Sequence, residues 1–339
     1  MIAELKSQPQ KNDRPVGFPA GKITTSTGIN MMLTVFYSDH IPLPLPDGHR
    51  FPATKYSSLR ERVAEFGPEA PVRLLPGPPV TSEELSRVHD ADYLRRVFIG
   101  ELDAHDQRAI GFPWSEGLVE RCLTSAGATV AAARFAKGNH WSAHLAGGTH
   151  HAFSDHGGGY CIFNDVAVAI RTLQAENSIE KSLVVDCDVH QGDGTATIFS
   201  DDNSVFTLSL HGKKNYPLRK TVSDLDVPLP DRTDDLSYEE ALRSALREVW
   251  ACFSPDCVFY IAGADAFEGD RHGRLSLTKA GLQTRDQIVL KACSDRGLGL
   301  VTVMGGGYAP EASDIVDIHA TTIQLMARTV HGHQGLTSS

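Results

Sequence analysis

Polar residues follow several short apolar runs of the chain, at the points where those runs end. Asp188 and His190 stand two positions apart after one run, and Asp265 follows another. Residues i and i+2 of an extended segment point the same way, so Asp188 and His190 can reach one ion. With Asp265 they would give three ligands and an open position, which is typical of catalytic zinc sites. A lone Asp-x-His pair would instead be interpreted as a helix cap beside a core histidine.

Two adjacent histidines, His150 and His151, follow a pair of glycines, and two carboxylates, Asp186 and Asp193, flank the Asp-x-His segment. Each carboxylate can accept the Nδ1–H of one imidazole, which fixes the tautomer and raises the basicity of the ring. Two such dyads beside a metal-activated water could provide a general base and a general acid. On their own, the histidines would be interpreted as part of a surface loop and Asp193 as part of a turn.

Tyr308 follows another glycine-rich segment, the run 305–307. A phenol stays protonated at neutral pH and is a good hydrogen-bond donor to an oxyanion. Without the other residues, Tyr308 would be an ordinary aromatic at a strand end. The three glycines also resemble a phosphate cradle, but they open no convincing helix and no lysine follows them. A nucleotide site is therefore disfavoured.

The elements that must position these residues are short apolar runs that alternate with amphipathic stretches. The sequence predicts strands at 33–37, 72–75, 142–145, 183–185, 205–210, 258–262 and 300–304, and helices at 118–136, 164–176, 237–252 and 278–292. This alternation predicts a single α/β domain, in which helices cover both faces of a mostly parallel sheet. Ligands bind beyond the carboxyl ends of the strands in such sheets, so the candidate residues should meet at one edge. The stretches 42–51 and 212–230 are predicted to be surface loops.

The composition limits the possible classes of protein. Of the 339 residues, 41% are hydrophobic and 22% are charged, which is ordinary for a globular chain. Residues 1–31 are polar and predict a disordered extension, residues 32–331 form the predicted domain, and residues 332–339 form a predicted flexible tail. There is neither an apolar run of about 20 residues nor a signal-peptide pattern, so we expect a cytoplasmic location and no membrane binding. The net charge of −10 argues against direct nucleic-acid binding.

The six cysteines are scattered along the chain with no Cys-x-x-Cys pair. This spacing predicts reduced thiols and no structural zinc knuckle. The cysteines are Cys122, Cys161, Cys187, Cys252, Cys257 and Cys293.

With these residues assembled, the chain resembles the arginase/deacetylase superfamily, and specifically a histone deacetylase of the class IV type. The resemblance runs from about Val35 to Ala327 and rests on the motifs GGTHHAFSDHGGGYCIFND, VVDCDVHQGDG, AGADAFEGDRHGRLSLT and MGGGY. It implies a deacetylase-like catalytic domain with the arginase/deacetylase fold and one zinc ion at the base of a narrow tunnel. The implied activity is hydrolysis of an N-acyl-lysine, or of a related N-acyl amine, to the free amine and a carboxylate.

The resemblance also implies roles for individual residues. The zinc ligands of the family match Asp188, His190 and Asp265, and its catalytic residues match His150, His151, Asp186, Asp193 and Tyr308. Among these, His151 with Asp193 matches the general base, and His150 with Asp186 matches the electrostatic or proton-donating partner. Tyr308 matches the residue that polarises the scissile carbonyl.

Further positions match the substrate and cation sites of the family. The acyl-lysine tunnel matches Gly159 and Tyr160, with Tyr216 on the opposite wall and Gly306 also predicted to contact substrate. Monovalent cations such as potassium commonly bind in two places, which match Asp186, Asp188, His190, Ser209 and Leu210 for one site and Phe199, Asp202 and Val205 for the other.

The chain departs from the family at two positions. Gln191 replaces a histidine that many relatives carry, which is a class IV feature. Gly111 lies near the place of an acidic rim residue that grips the substrate backbone in several relatives. Acetylpolyamines and other small amides therefore stay open as substrates beside acylated protein lysines.

Two rival functions remain at this stage. A binuclear-manganese ureohydrolase resembling arginase would need more bridging carboxylates than this pattern offers. A catalytically inactive module that binds acyl-lysine would not need the complete set of catalytic residues that is present.

Overall fold

A computed structural model of the protein describes residues 32–332. The predicted extension at 1–31, and all but the first residue of the predicted tail at 332–339, lie outside these described residues. The boundaries of the predicted catalytic domain therefore stay predictions.

Within residues 32–332, strands alternate with helices along most of the chain. The strands are β1 (Leu33–Tyr37), β2 (Val72–Pro76), β3 (Trp141–His144), β4 (Ser182–Asp186), β5 (Val205–Gly212), β6 (Leu225–Leu229), β7 (Cys257–Ile261) and β8 (Gly299–Val303). The helices are α1 (Lys55–Ala64), α2 (Ser82–Leu85), α3 (Ala91–Ile99), α4 (Ala104–Ile110), α5 (Glu116–Phe135), α6 (Asp165–Ala175), α7 (Asp193–Ile198), α8 (Asp235–Cys252), α9 (Lys279–Ser294) and α10 (Ala312–Gly332).

The strands form one sheet in the order β2-β1-β3-β8-β7-β4-β5-β6, and every neighbouring pair is parallel. Helices pack on both faces, so the central strands are buried on both sides. Leu183 and Val185 of β4 belong to the core that faces α8, α9 and α10, whereas Val184 belongs to the core that faces α5 and α6. This is the alternation expected of a strand with two buried faces. The predicted α/β class with a parallel sheet is confirmed.

The first turns of α5 and α6 are fixed by short polar side chains. The hydroxyl of Ser115 accepts the Leu118 N–H at 3.1 Å and begins α5. The Asn164 side chain accepts the Ala167 N–H at 3.0 Å and begins α6. Such caps satisfy backbone donors that have no partner inside the helix.

The predicted loop over 212–230 is wrong for its last part, which forms the edge strand β6. This strand is short and mostly half-exposed and contains Pro228, which an edge strand tolerates because one side of its backbone needs no partner. The helices α1, α2, α3, α4, α7 and α10 were also not predicted. The shortest of these, α2, α4 and α7, have four to seven residues, too few to show a helical period.

All six cysteines lie in the described part of the chain and none is paired with another. Among residues 32–332, none of the helices is long and apolar enough to cross a membrane.

Candidate active site

Four neighbouring strands deliver the candidate residues to one edge of the sheet. The adjacent strands β3, β8, β7 and β4 occupy its middle. The histidine pair follows the carboxyl end of β3, and Tyr308 follows that of β8. Asp265 follows β7, and the Asp-x-His pair follows β4. The topology therefore brings together residues that are more than 150 positions apart in the sequence.

Asp188, His190 and Asp265 converge on one point. Their candidate ligand atoms all lie within 4.8 Å of one another. The Nδ1 atom of His190 is 3.0 Å from Oδ1 of Asp188 and 3.1 Å from Oδ2 of Asp265. Both carboxylates are buried, and two buried carboxylates side by side repel unless a cation lies between them. One imidazole and two carboxylates are a donor set that fits a zinc ion with an open position.

The electrostatics of this triad also favour a cation. Burial and the charge of Asp188 raise the pKa of Asp265 to about 7. Burial lowers the pKa of His190, but its hydrogen bonds to Asp188 and Asp265 outweigh that effect and raise it to about 10. A metal ion at this site would therefore displace a proton from His190.

Backbone amides hold the two carboxylates in place. The Gly306 N–H donates to Oδ2 of Asp188 at 2.6 Å, and the Val189 N–H donates to Oδ1 of Asp265 at 2.9 Å. A Cβ on Gly306 would lie 2.0 Å from Oδ2 of Asp265, so only glycine fits there. The predicted substrate residue Gly306 thus contacts the metal-ligand pair directly.

A buried ion pair between Arg285 and Asp286, which the sequence did not predict, lies behind the triad. Arg285 of α9 is fully buried and donates to the backbone oxygens of Gly263 at 2.5 Å and Cys187 at 3.4 Å. Its other terminal nitrogen lies 2.8 Å from the carboxylate of Asp286. Arg285 therefore ties together the two loops that carry Asp188 and Asp265. The only signal in the sequence was an Arg-Asp pair within an otherwise amphipathic helix.

The two histidines each bind their own carboxylate. Nδ1 of His150 is 2.7 Å from Oδ2 of Asp186, and Nδ1 of His151 is 2.6 Å from Oδ1 of Asp193. Asp193 is the first residue of α7, and its carboxylate also accepts the Gly194 N–H at 3.0 Å. Each ring is therefore oriented so that its Nε2 atom is the one left for chemistry.

The pKa values of the two imidazoles are shifted in opposite directions. Burial lowers the pKa of His150, but the negative charges of Asp186 and Asp188 outweigh burial and raise it to about 9. Burial, with the nearby positive charge of His150, lowers the pKa of His151 to about 4. The pair therefore combines one protonated and one neutral imidazole near neutral pH.

Tyr308 lines a pocket of about 50 Å³ together with Asp188, His190 and the two adjacent histidines. Burial, with the charges of Asp188 and Asp265, raises the pKa of Tyr308, so its hydroxyl stays protonated. Its backbone N–H donates to Asp270 at 2.6 Å. Lys55 of α1, which the sequence analysis missed, donates to the Gly307 oxygen at 3.1 Å and so holds the segment that carries Tyr308.

The predicted tunnel residues surround His151. The Tyr216 ring packs edge-on against the His151 ring with centroids 4.8 Å apart. A Cβ on Gly159 would lie 2.5 Å from Cδ2 of His151, so a side chain there would collide with the imidazole. Tyr160 adopts a left-handed backbone conformation (φ 68°), a costly arrangement that is concentrated at functional sites.

The structure explains the two departures from the family pattern. Gly111 is left-handed (φ 81°), and a Cβ there would lie 3.0 Å from the Tyr160 ring, so an acidic side chain would crowd that ring. Gln191 is buried and donates to Asp226 at 2.8 Å and to the Thr221 oxygen at 3.0 Å. These bonds link the loop that carries Asp188 and His190 to the segment around β6.

The residues of the predicted cation sites lie in two places. Ser209 on β5 pairs with Asp186 on β4, beside the triad, and Leu210 follows it. In the turn after α7, the Phe199 oxygen accepts the Asp202 N–H at 3.0 Å, and the Asp202 oxygen accepts the Val205 N–H at 3.1 Å. Potassium binding at either place stays a prediction.

Comparison with known proteins agrees with this geometry. A family model described as "Histone deacetylase domain" matches residues 49–323. An uncharacterized protein from Picosynechococcus is 42% identical over 297 residues, which cover 88% of this chain and 98% of that protein. The acetoin utilization protein AcuC of Bacillus subtilis is 35% identical over 58% of this chain, and the match spans 57% of AcuC.

Solved structures share the fold at low sequence identity. The crystal structure of an HDAC homolog complexed with SAHA matches with a TM-score of 0.76 at 22% identity, over 87% of this chain and 84% of the other. The crystal structure of an HDAC homolog from Aquifex aeolicus matches with a TM-score of 0.75 at 21% identity, over the same shares of the two chains.

The fold is thus the arginase/deacetylase fold, an α/β class built on a parallel sheet of eight strands. With the family model matching most of its length, the chain belongs to the histone deacetylase family. It is a hydrolase of the deacetylase kind.

Proposed function

We propose that this protein is a zinc-dependent amidohydrolase that removes the acyl group from an acyl-lysine side chain or from a related N-acyl amine. One observation carries the proposal, namely the convergence of Asp188, His190 and Asp265 on one point beside two His–Asp dyads. Asp188, His190 and both histidines of the dyads line one pocket. The catalytic domain in this proposal spans residues 32–331. The match to the histone deacetylase domain supports an acylated substrate.

Asp188, His190 and Asp265 would hold the zinc ion. When bound, zinc supplies Lewis acidity toward the acyl carbonyl and the attacking water. Arg285 and the Gly306 amide keep the two carboxylates aimed at one point, so that little reorganisation is needed when the ion binds.

The two His–Asp dyads have different roles in proton transfer. His151 is neutral near neutral pH and can accept the proton of the attacking water at Nε2, while Asp193 holds its Nδ1–H. His150 is protonated, so it stabilises negative charge in the pocket and can assist proton delivery to the leaving amine. Tyr308 donates a hydrogen bond from its protonated hydroxyl to the developing oxyanion.

Two features bear on the alternatives. The residues 32–332 contain one other cluster of candidate metal ligands (Asp103, His105 and Asp106), which is mostly exposed, and Asp103 there caps α4. This favours a mononuclear hydrolase over a binuclear-manganese ureohydrolase. Gly111 offers no carboxylate to grip a peptide backbone, which keeps small N-acyl amines as a second candidate substrate class.

The experiment is a turnover assay on acetyl-lysine peptides and acetylpolyamines with zinc-loaded and chelator-treated protein. We expect zinc-dependent release of free amine from at least one class. Acyl-peptide binding without turnover in the zinc-loaded protein would instead establish an inactive binding module. Two manganese ions per active site with ureohydrolase activity would establish the arginase-like alternative.

A further inference from the structure

A basic surface loop lies beside the catalytic pocket and has no part in the chemistry proposed above. Residues 213–222 follow β5 and lead toward β6, and we call them the 213–222 loop. The Tyr216 ring of this loop packs edge-on against the His151 ring, with centroids 4.8 Å apart, and His151 lines the catalytic pocket. Because Tyr216 is also 45% exposed, its side chain reaches from the pocket to the protein surface. The loop therefore stands where a substrate enters.

The charge of this loop is opposite to that of the chain as a whole. Residues 213–220 contain four cations and no acidic side chain, whereas the net charge of the chain is −10. The Lys214 ammonium has a carboxylate partner, Asp231, at 3.5 Å. Lys213 and Arg219 are exposed, and no carboxylate of residues 32–332 lies within ion-pairing distance of either. These two cations are therefore available to an acidic partner.

The same loop exposes apolar side chains. Of the six large apolar side chains that are well exposed in residues 32–332, three lie on this loop. They are Tyr216, Leu218, which is 92% exposed, and Val222, which is 80% exposed. Single exposed apolar residues are ordinary, but a group of them among charged residues marks a binding surface. The loop thus suits a partner that has both negative charge and an apolar group.

Hydrogen bonds hold the 213–222 loop in this conformation. The Lys220 ammonium donates to the backbone oxygens of Asn215 and Pro217. The Asn215 side chain donates to the His272 oxygen at 2.6 Å and accepts the Arg274 N–H at 3.3 Å. The exposed side chains are therefore carried on a fixed backbone, and a partner would bind with little loss of loop entropy.

We propose that the 213–222 loop is a docking surface for an acidic segment of the substrate, in which carboxylates and an apolar residue lie close to the acylated amine. This inference rests on the proposed function, because the docked segment is the one that carries the acyl-lysine. Lys213 and Arg219 each stand three positions from Tyr216, and an extended chain spans about 3.3 Å per residue. Carboxylates within roughly three residues of the acyl-lysine can therefore meet these cations.

An anionic lipid surface would also attract a loop with cations and apolar side chains. Two observations favour a substrate segment instead. The loop contacts His151 beside the catalytic pocket, and the chain carries a net charge of −10, which opposes approach to an anionic membrane.

The first measurement compares three acetyl-lysine peptides with the zinc-loaded protein. Their flanking residues are acidic with one leucine, neutral, or basic, and we expect the lowest KM for the acidic peptide. Lys213→Gln/Arg219→Gln should raise this KM about fivefold, as expected for the loss of two exposed ion pairs. The kcat values and the KM of the neutral peptide should not change, because only ground-state binding is lost.

Two further double variants serve as controls. Lys213→Arg/Arg219→Lys keeps both charges and should keep the wild-type KM for the acidic peptide. Arg243→Gln/Arg247→Gln removes two exposed cations from α8 and should also leave that KM unchanged.

A single variant tests the apolar part of the surface independently. Leu218→Ser should raise KM for the acidic peptide that contains leucine. It should leave KM unchanged for an acidic peptide in which serine replaces that leucine. Added salt should weaken the preference for acidic over neutral peptides, because exposed charges are screened.

The outcomes separate this inference from the proposed function. Turnover with equal KM for all three peptides, or a preference that Lys213→Gln/Arg219→Gln keeps, would overturn the docking surface and leave the deacylase function standing. If no peptide is hydrolysed, the proposed function fails. Fluorescence anisotropy of the labelled acidic peptide, with wild type and with Lys213→Gln/Arg219→Gln, then decides the docking surface by itself. Binding to vesicles of phosphatidylserine and phosphatidylcholine that this variant loses, without any peptide preference, would assign the loop to a lipid surface and overturn the inference.

Discussion

The imidazoles of His150 and His151 lie 4.1 Å apart, centroid to centroid, yet they bind different carboxylates and their pKa values are shifted in opposite directions. Asp186 and Asp188 stabilise positive charge on His150, whereas burial and that charge disfavour a proton on His151. The surroundings alone thus give two neighbouring residues of the same type opposite protonation states near neutral pH.

The first prediction concerns the different protonation states of His150 and His151. Because His151 is the neutral member, His151→Ala should lower kcat by about 10²–10⁴-fold, the usual contribution of a general base. His150→Ala should lower kcat less, since it removes charge stabilisation and assistance but leaves the base. Steady-state kinetics on an acyl-lysine peptide, with zinc content measured for both variants, checks this order. A larger loss in His150→Ala at equal zinc content would reverse the assignment.

The second prediction concerns Tyr308. Removing its hydroxyl in Tyr308→Phe should lower kcat by about 10²–10³-fold, because one donor to the oxyanion is lost. The ring contacts with Phe51 and His272 remain, so folding and zinc content should be unchanged. Full kcat in a zinc-loaded Tyr308→Phe protein would exclude this role.

The third prediction concerns the metal ligands. Asp265→Asn removes one of two adjacent buried carboxylates and should sharply reduce zinc bound per chain after dialysis, measured by elemental analysis. Asp103→Asn, in the exposed cluster near α4, is the matched control and should keep the wild-type zinc content. Equal zinc content in the two variants would remove Asp265 from the ligand set.

The fourth prediction concerns stability in acid and uses a histidine away from the metal site. Nδ1 of His89 bonds the Phe153 oxygen at 3.0 Å, and its Nε2 accepts the Asn164 N–H at 3.0 Å, so the ring has no room for a second proton. Burial lowers its pKa from 6.5 to about 4. The unfolded chain therefore binds more protons than the folded chain between these pH values, and stability falls as pH drops through that range.

The free energy of unfolding should therefore fall by about 3 kcal/mol at most, because a shift of one pKa unit corresponds to about 1.4 kcal/mol. Urea unfolding of wild type and His89→Gln from neutral pH to about pH 4 measures it. His89→Gln should be less stable than the wild type at neutral pH, but its free energy of unfolding should fall less as the pH drops. The exposed His105 provides the control, because His105→Gln should keep the wild-type slope. Equal slopes for wild type and His89→Gln would contradict the burial argument.

The central strands could be predicted because they are buried on both faces. Their sequences are therefore continuous apolar runs, as in β4 and β7. The edge strand β6 was missed because most of its residues are only partly buried and a proline interrupts it. The helix α10 was missed although Ile315, Ile318 and Ile323 are spaced as a buried helix face. Boundaries of the other predicted elements differ by at most two residues. At the starts of α5 and α6, capping side chains rather than apolar spacing set the boundary.

Within the site, the polar residues at strand ends could be predicted because the sheet edge concentrates them. The buried cations Lys55 and Arg285 could not, since a charged residue in an amphipathic helix is normally exposed. Their roles depend on which partners face them from distant segments. The crowding of Tyr160 against Gly111 likewise appears only in three dimensions.

The most direct test of the central claim is turnover of acyl-lysine peptides by the zinc-loaded protein, measured beside chelator-treated protein and zinc-loaded Tyr308→Phe. We expect the zinc-loaded wild type to release amine, to lose turnover on chelation and to recover it when zinc is restored. The kcat of the variant should fall by about 10²–10³-fold. Equal turnover with and without zinc, or by wild type and variant, would contradict it.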